Sequence, residues 1–219
     1  MKIAGSFLKI NNDKEKIKTL NKVCDNIHID VMDGIFTKKA TIPFENMQSI
    51  NEIITKPKDV HLMVENIYEY IDLYKNLKPD YITFHYEISK NHEKIINYIK
   101  ALGIKAGIAI NPDTNVNSII NYLNKLDLVL VMSVFPGAGG QTFIDITDKI
   151  DYLKDYREKN NLSFIIEVDG GINDITINQV KDADLIVVGS YITDSDDYQT
   201  QIKKIRGIKW KKALPELNY

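Results

Sequence analysis

IHIDVMDG, residues 27–34, reads with a period of two: His28 and Asp30 point to one face, and Ile27, Ile29 and Val31 to the other. A strand does this when it holds polar groups in a pocket while its back faces a core. An imidazole and a carboxylate two residues apart at a strand end offer a divalent cation two ligands from one rigid element. On its own an HxD pair is weak evidence, because a His and an Asp hydrogen-bonded to each other near a loop give the same letters. What surrounds it decides the fold. Upstream, Lys2–Phe7 (KIAGSF) is a short apolar strand, followed by a capping cluster at Asn11-Asn12-Asp13 and a lysine-rich helix to about Val23. Downstream, helices are expected near Glu45–Ile54, Ile67–Leu77, Glu93–Leu102, Val116–Leu126, Ile146–Lys159, Thr176–Lys181 and Asp196–Ile205. Between them lie strands at Lys58–Val64 (KDVHLMV), Asp80–His85 (DYITFH), Ile104–Ile110 (IKAGIAI), Asp127–Val134 (DLVLVMSV), Phe164–Asp169 (FIIEVD) and Asp184–Ser190 (DLIVVGS).

About eight strand–helix units in about 210 residues, with short apolar strands and crossovers long enough for a helix, are the pattern of an α/β fold of the (β/α)8 TIM barrel type. A doubly wound open sheet competes, but it more often shows five or six units and a G-x-G-x-x-G after the first strand, which is missing here. The near-continuous apolar run of DLVLVMSV suits a parallel strand buried on both faces. One barrel over residues 1–206 is expected, with a 207–219 tail that holds the single tryptophan, Trp210, and has no assigned role.

The 219 residues are 44% hydrophobic and 26% charged, enough for a sizeable core. A net charge of −2 gives no global reason to expect nucleic acid or an anionic membrane as partner. The single cysteine, Cys24, excludes a disulfide framework and a CxxC metal site, and reads as a buried thiol at the end of the first helix. With no stretch resembling a membrane span or a signal peptide, a cytoplasmic protein is expected.

If the strands close into a barrel, chemistry belongs at their C-terminal ends. Those ends read Ser6, His28 with Asp30, His61, His85, Asn111, Met132-Ser133, Asp169 and Gly189-Ser190. Three of the chain's four histidines meet two carboxylates at one rim, and the fourth, His92, sits on a helix start and reads as surface. His28, Asp30, His61 and Asp169 form a metal-shell candidate whose donors suit one divalent ion such as zinc, iron(II), cobalt or manganese. Asp30 and Asp169 come from the second and seventh strands, so they could face one bound carbon from opposite sides, as a two-base epimerisation requires. Glycines at Gly137, Gly139 and Gly140 around Ala138, at Gly170-Gly171 and at Gly189-Ser190 put free backbone N–H groups in three consecutive loops, where this fold usually holds a phosphate. Met32, Met63 and Met132 would line the reacting centre.

The segments IHIDVMDG (27–34), DVHLMVE (59–65), DYITFHYE (80–87), AGIAINPDT (106–114), DLVLVMSVFPGAGGQTFI (127–144), IEVDGGI (166–172) and VVGSYI (187–192) together resemble the ribulose-phosphate 3-epimerase family, with D-allulose-6-phosphate 3-epimerase as a near relative. The resemblance implies a ribulose-phosphate-binding TIM barrel in pentose phosphate metabolism, with a metal held by His28, Asp30, His61 and Asp169. It further implies Asp30 and Asp169 as the acid/base pair inverting C3 of a phosphorylated ketose, and Ser6, His61 and the glycine loops as substrate contacts. A homo-oligomer is also expected. The family's usual first strand runs on as P-S-I-L-S-A-D, whereas this chain has Gly5-Ser6-Phe7-Leu8-Lys9-Ile10-Asn11. Its usual H-F-V-P-N after the second strand is Ile35-Phe36-Thr37-Lys38-Lys39, and a loop position that is often Phe is Ala138. These changes bear on sugar identity, and a non-catalytic sugar-phosphate-binding paralogue is the rival from another class. A decarboxylase or aldol-type lyase on this barrel would be expected to carry a lysine at a strand end, and none of the ends above has one.

Overall fold

The computed structural model describes residues 1–88 and 90–207, so the 208–219 part of the tail, with Trp210, lies outside the described residues. Eight strands form one closed parallel barrel in sequence order. They are β1 (Lys2–Ser6), β2 (Asn26–Met32), β3 (Lys58–Met63), β4 (Tyr81–His85), β5 (Lys105–Ile110), β6 (Leu128–Met132), β7 (Ile165–Asp169) and β8 (Leu185–Val188). The crossovers carry α1 (Lys14–Val23), α2 (Phe44–Asn51), α3 (Ile67–Tyr74), α4 (His92–Ala101) and α5 (Thr147–Lys159), and α6 (Ser190–Thr193) and α7 (Tyr198–Gly207) follow β8.

The period-two reading holds along the barrel. Ile27, Ile29 and Val31 of β2, Val60 and Leu62 of β3, and Val129 and Val131 of β6 turn outward into one large apolar layer beneath the helices. Burying such a side chain is worth about 1.5–3 kcal/mol. The inward residues fill the barrel differently, as two separate apolar groups. One contains Tyr81, Ala109, Leu128, Leu130 and Met132; the other contains Ala4, Leu185 and Val187. Elsewhere the interior is polar, with His28, Asp59, Thr83 and Glu167 fully buried.

Helix ends follow their local chemistry. Asp13 caps α1 by accepting the N–H of Lys16, and Cys24 at the other end is buried, its thiol pushed up to about 12 chiefly by burial. Two expected helices are 3₁₀ segments instead, Val116–Tyr122 and Thr176–Val180. Both are short and rich in Asn, Thr and β-branched residues, which favour the α-helix little. The short α6, directly after Gly189, was not expected from sequence and begins inside what reads as the end of the last strand. His92 is also corrected: it is buried, its Nε2 2.7 Å from the Tyr86 carbonyl oxygen and its ring stacked on Tyr86 at 4.3 Å. An aromatic cage covers the ring and a backbone acceptor satisfies Nε2, while Nδ1 is buried without a hydrogen-bond partner.

Candidate functional site

The register of β2 against β3 sets Asp30 beside His61 and His28 beside Asp59. On the other side of the barrel, Asp169 ends β7. The outcome is that one donor atom from each of His28, Asp30, His61 and Asp169 lies within 4.8 Å of the others, so the four side chains expected to meet do meet. His28 Nε2 is 3.3 Å from His61 Nδ1, and Asp30 Oδ1 is 3.4 Å from both nitrogens. Donors about 2.1 Å from one shared cation stand roughly 3.0–3.4 Å apart, so the spacing fits a metal ligand set.

The hydrogen-bond chain behind these donors fixes which nitrogen carries a proton. Glu87 Oε2 lies 3.1 Å from His85 Nδ1, and its other oxygen accepts the Asn111 N–H at 2.8 Å and the Thr114 hydroxyl. His85 therefore donates to Glu87 through Nδ1 and accepts at Nε2, which is 2.8 Å from His61 Nε2. His61 must donate there, and its Nδ1 lone pair is left facing Asp30 and His28. Beside His28 stands Asp59, whose Oδ2 is 2.9 Å from Nδ1 as an ion-pair neighbour, out of line for a hydrogen bond. Thr83 Oγ donates to the other Asp59 oxygen at 3.0 Å. A methyl group at Gly107 on β5 would collide with that hydroxyl, so the strand passes here as glycine.

Charge is concentrated at this point. Burial by itself would lower the His28 pKa, but Asp30, Asp59 and Glu167 outweigh it and hold it well above the usual histidine value. Burial would raise Asp30, yet the charge on His28 holds that carboxyl well below the usual range. Asp169 goes the other way: burial first, then the Asp30 charge, push it up to about 7. Glu167 is raised well above its ordinary value by burial and by Asp59, and neither of its oxygens has a hydrogen-bond partner. Four carboxyls, Asp59 and Glu167 fully buried and Asp30 and Asp169 half-buried, around two imidazoles make a pocket that favours an added positive charge.

Above the carboxylates opens a cavity of about 710 Å³, counted to its mouth. Ser6, Asp30, Asp169, Met32, Met63, Met132, Gly137, Ala138, Gly139, Gly140, Gly170, Gly171, Gly189 and Ser190 all line it, while His28 and His61 lie behind this wall. Ser6 Oγ also donates to Asp30 Oδ2 at 2.7 Å, so it braces the carboxylate. Gly170 and Gly171 have φ of +121° and +60°, and a Cβ would strike Val134 at one and the Phe143 backbone at the other. Phe36 packs against His85 at 5.1 Å, and Thr37 reaches Gly137, so the divergent 35–39 loop closes over the cavity's edge.

Sequence reasoning missed Asp59, Glu167, Glu87 and Lys9. The first two precede His61 and Asp169 by two residues on the same strands, so the alternation that found the ligands also points to them. Glu87 lies in a 3₁₀ turn just past β4, where no strand period applies. Lys9 follows β1 by three residues and lines the cavity, although no strand end carries a lysine.

The sequence profile described as the Ribulose-phosphate 3 epimerase family matches residues 2–193. A ribulose-phosphate 3-epimerase of Helicobacter pylori is 37% identical over 214 residues, covering 95% of this chain and 98% of the relative. That of Methanocaldococcus jannaschii is 37% identical over 224 residues, covering 100% and 93%. Among solved structures, 3-hexulose-6-phosphate synthase from Salmonella typhimurium superposes with a TM-score of 0.70 at 17% identity, covering 94% of this chain and 97% of that one. KGPDC from Streptococcus mutans gives 0.71 at 10%, covering 94% and 95%, and both speak to the barrel alone. With a family match over nearly all the described residues and relatives this similar along their whole length, the chain belongs to the ribulose-phosphate 3-epimerase family and is an epimerase.

Proposed function

We propose that this chain inverts C3 of a phosphorylated ketose, D-ribulose 5-phosphate to D-xylulose 5-phosphate, by proton transfer between Asp30 and Asp169. The observation that carries the proposal is the meeting of these two carboxylates, from strands on different sides of the barrel, with two imidazoles at the cavity floor. Asp30, held ionised by His28, removes the C3 proton from one face. Asp169, whose burial favours the protonated form, returns a proton from the other. One environment thus holds a base and an acid. His28, Asp30, His61 and Asp169 would hold one divalent ion, zinc, iron(II), cobalt or manganese. When bound, it supplies a positive charge that offsets the negative charge developing on the substrate oxygens as C3 is deprotonated. The glycine loops offer their N–H groups to the phosphate, and Met32, Met63 and Met132 keep water from the reacting carbon.

Exchange of the C3 hydrogen with solvent deuterium, followed by NMR, tests the mechanism. Asp169→Asn keeps the fold by circular dichroism and loses exchange by about 10³-fold or more, the scale of one general acid or base plus its electrostatic role. Metal content is measured alongside. A metal-replete Asp169→Asn with wild-type turnover overturns the two-carboxylate reading. Parallel rates on D-allulose 6-phosphate decide between pentose and hexose phosphate.

A further inference from the structure

Lys9 is the feature the proposed mechanism leaves unused. It sits in a short 3₁₀ turn, Leu8–Ile10, just beyond β1, where the resembled family usually has serine. Its ammonium is 2.8 Å from Asp194 at the end of α6. The side chain lies across the glycine loop: Nζ would be 3.4 Å from a Cβ built on Gly140, and Cε 3.8 Å from one on Gly139. A second, wider lobe of the cavity opens on the far side of this lysine, lined among others by Asp145, Asp194 and Asp196. Among the described residues lining either lobe, Lys9 is the sole lysine or arginine, against those three aspartates and Asp30 and Asp169.

We infer that Lys9 is a phosphate ligand of this chain, parked on Asp194 and transferred to the substrate's phosphate when it binds. The inference rests on the proposed function for its assumption that a phosphate occupies the glycine cradle. Three observations carry it. A dianion entering a cavity otherwise lined by carboxylates is held more tightly when a positive charge joins the neutral N–H groups. The Lys9–Asp194 pair is 40% and 58% exposed, and pairs so exposed to water hold weakly. Gly139 and Gly140 leave the space beneath the ammonium open, since a side chain there would press on Lys9 and Ser190. Lysine is suited to the transfer because it is a point charge on a flexible stem that can swing between two anions.

Calorimetric titration of inorganic phosphate into the full chain tests this, with Lys9→Ser and Asp194→Asn as variants. Lys9→Ser weakens phosphate binding about ten-fold, the scale of one charge-assisted contact. Asp194→Asn tightens it by up to about five-fold, because a competing anion is gone. A purely structural role for the pair, bracing α6, would weaken binding in both variants. With D-ribulose 5-phosphate, Lys9→Ser raises KM by about the same ten-fold while kcat moves by less than about two-fold. Phosphate affinity within two-fold of wild type in Lys9→Ser, or weakened in Asp194→Asn, overturns the assignment. If Lys9→Ser weakens and Asp194→Asn tightens phosphate binding while the wild-type protein epimerises no sugar phosphate, the phosphate ligand stands and the proposed function falls.

Discussion

Asp169 carries the clearest dependence on pH. Its carboxyl is pushed up to about 7 in the folded chain, against an ordinary value near 4. A group raised by folding contributes stability while protonated, so the contribution is complete below about pH 4 and fades as pH rises through about 7. Glu167 and His28 are raised too and act in the same direction; His61 and His85, lowered chiefly by burial, oppose them up to about pH 6.5, and Asp30 and Asp59 are lowered and act at more acidic pH, so the three raised groups set the sign above that. Chelated protein should therefore melt at a lower temperature at pH 8 than at pH 5, and added divalent metal should remove the difference by replacing the protons. Scanning calorimetry at the two pH values decides it; a midpoint that rises with pH would contradict the described carboxyl cluster. Glu87 offers a second residue-level test. Glu87→Gln can donate where the carboxylate only accepted, which reverses the proton order through His85 and puts a hydrogen on the His61 nitrogen that faces Asp30. Metal affinity, measured by competition with a chromogenic chelator, should fall about 10–100-fold with the fold unchanged.

At the scale of the element, the loop after β7 is under the tightest control. Gly170 combines φ +121° with Val134 pressed against the place a side chain would take. Gly170→Ala should cost about 1–3 kcal/mol of stability in denaturant unfolding, and Gly103→Ala less, because nothing lies within reach of Gly103 and only its φ of +77° resists. Strands were the legible elements. Their period of two shows in four to eight letters, and residues such as His28, Asp30 and His61 could be assigned a face from spacing alone. The 3₁₀ segments and α6 were not legible, because a helix of four to seven residues leaves no full apolar stripe to read. His92 failed for a related reason: its burial depends on Tyr86, Phe84 and Tyr122 converging, which no local pattern encodes. Lys9 was overlooked because a residue beyond a strand has no face until the loops are folded.

Across the whole molecule, the proposed metal site would tie ion binding to folding. An ion that binds the folded chain alone stabilises it by about 2.7 kcal/mol at 100 times its dissociation constant. For a chain this size that is about 5–10 °C of melting temperature. Removing metal with a chelator at neutral pH should lower the midpoint by that amount, and restoring it should return the loss; no shift would mean that no ion binds there. The helices contribute little to this response, since the donors all sit on strands or at their ends.

The barrel's apolar filling comes in two groups with ionisable side chains elsewhere in the interior. A redesigner seeking a sturdier scaffold would begin with those side chains, exchanging Asp59, Glu167 and their neighbours for methyl-rich ones of like volume, and would gain heat resistance and an inert object. Natural selection has kept the molecule short of its attainable toughness in that one place, where the discomfort of buried charge is what gives it something to do.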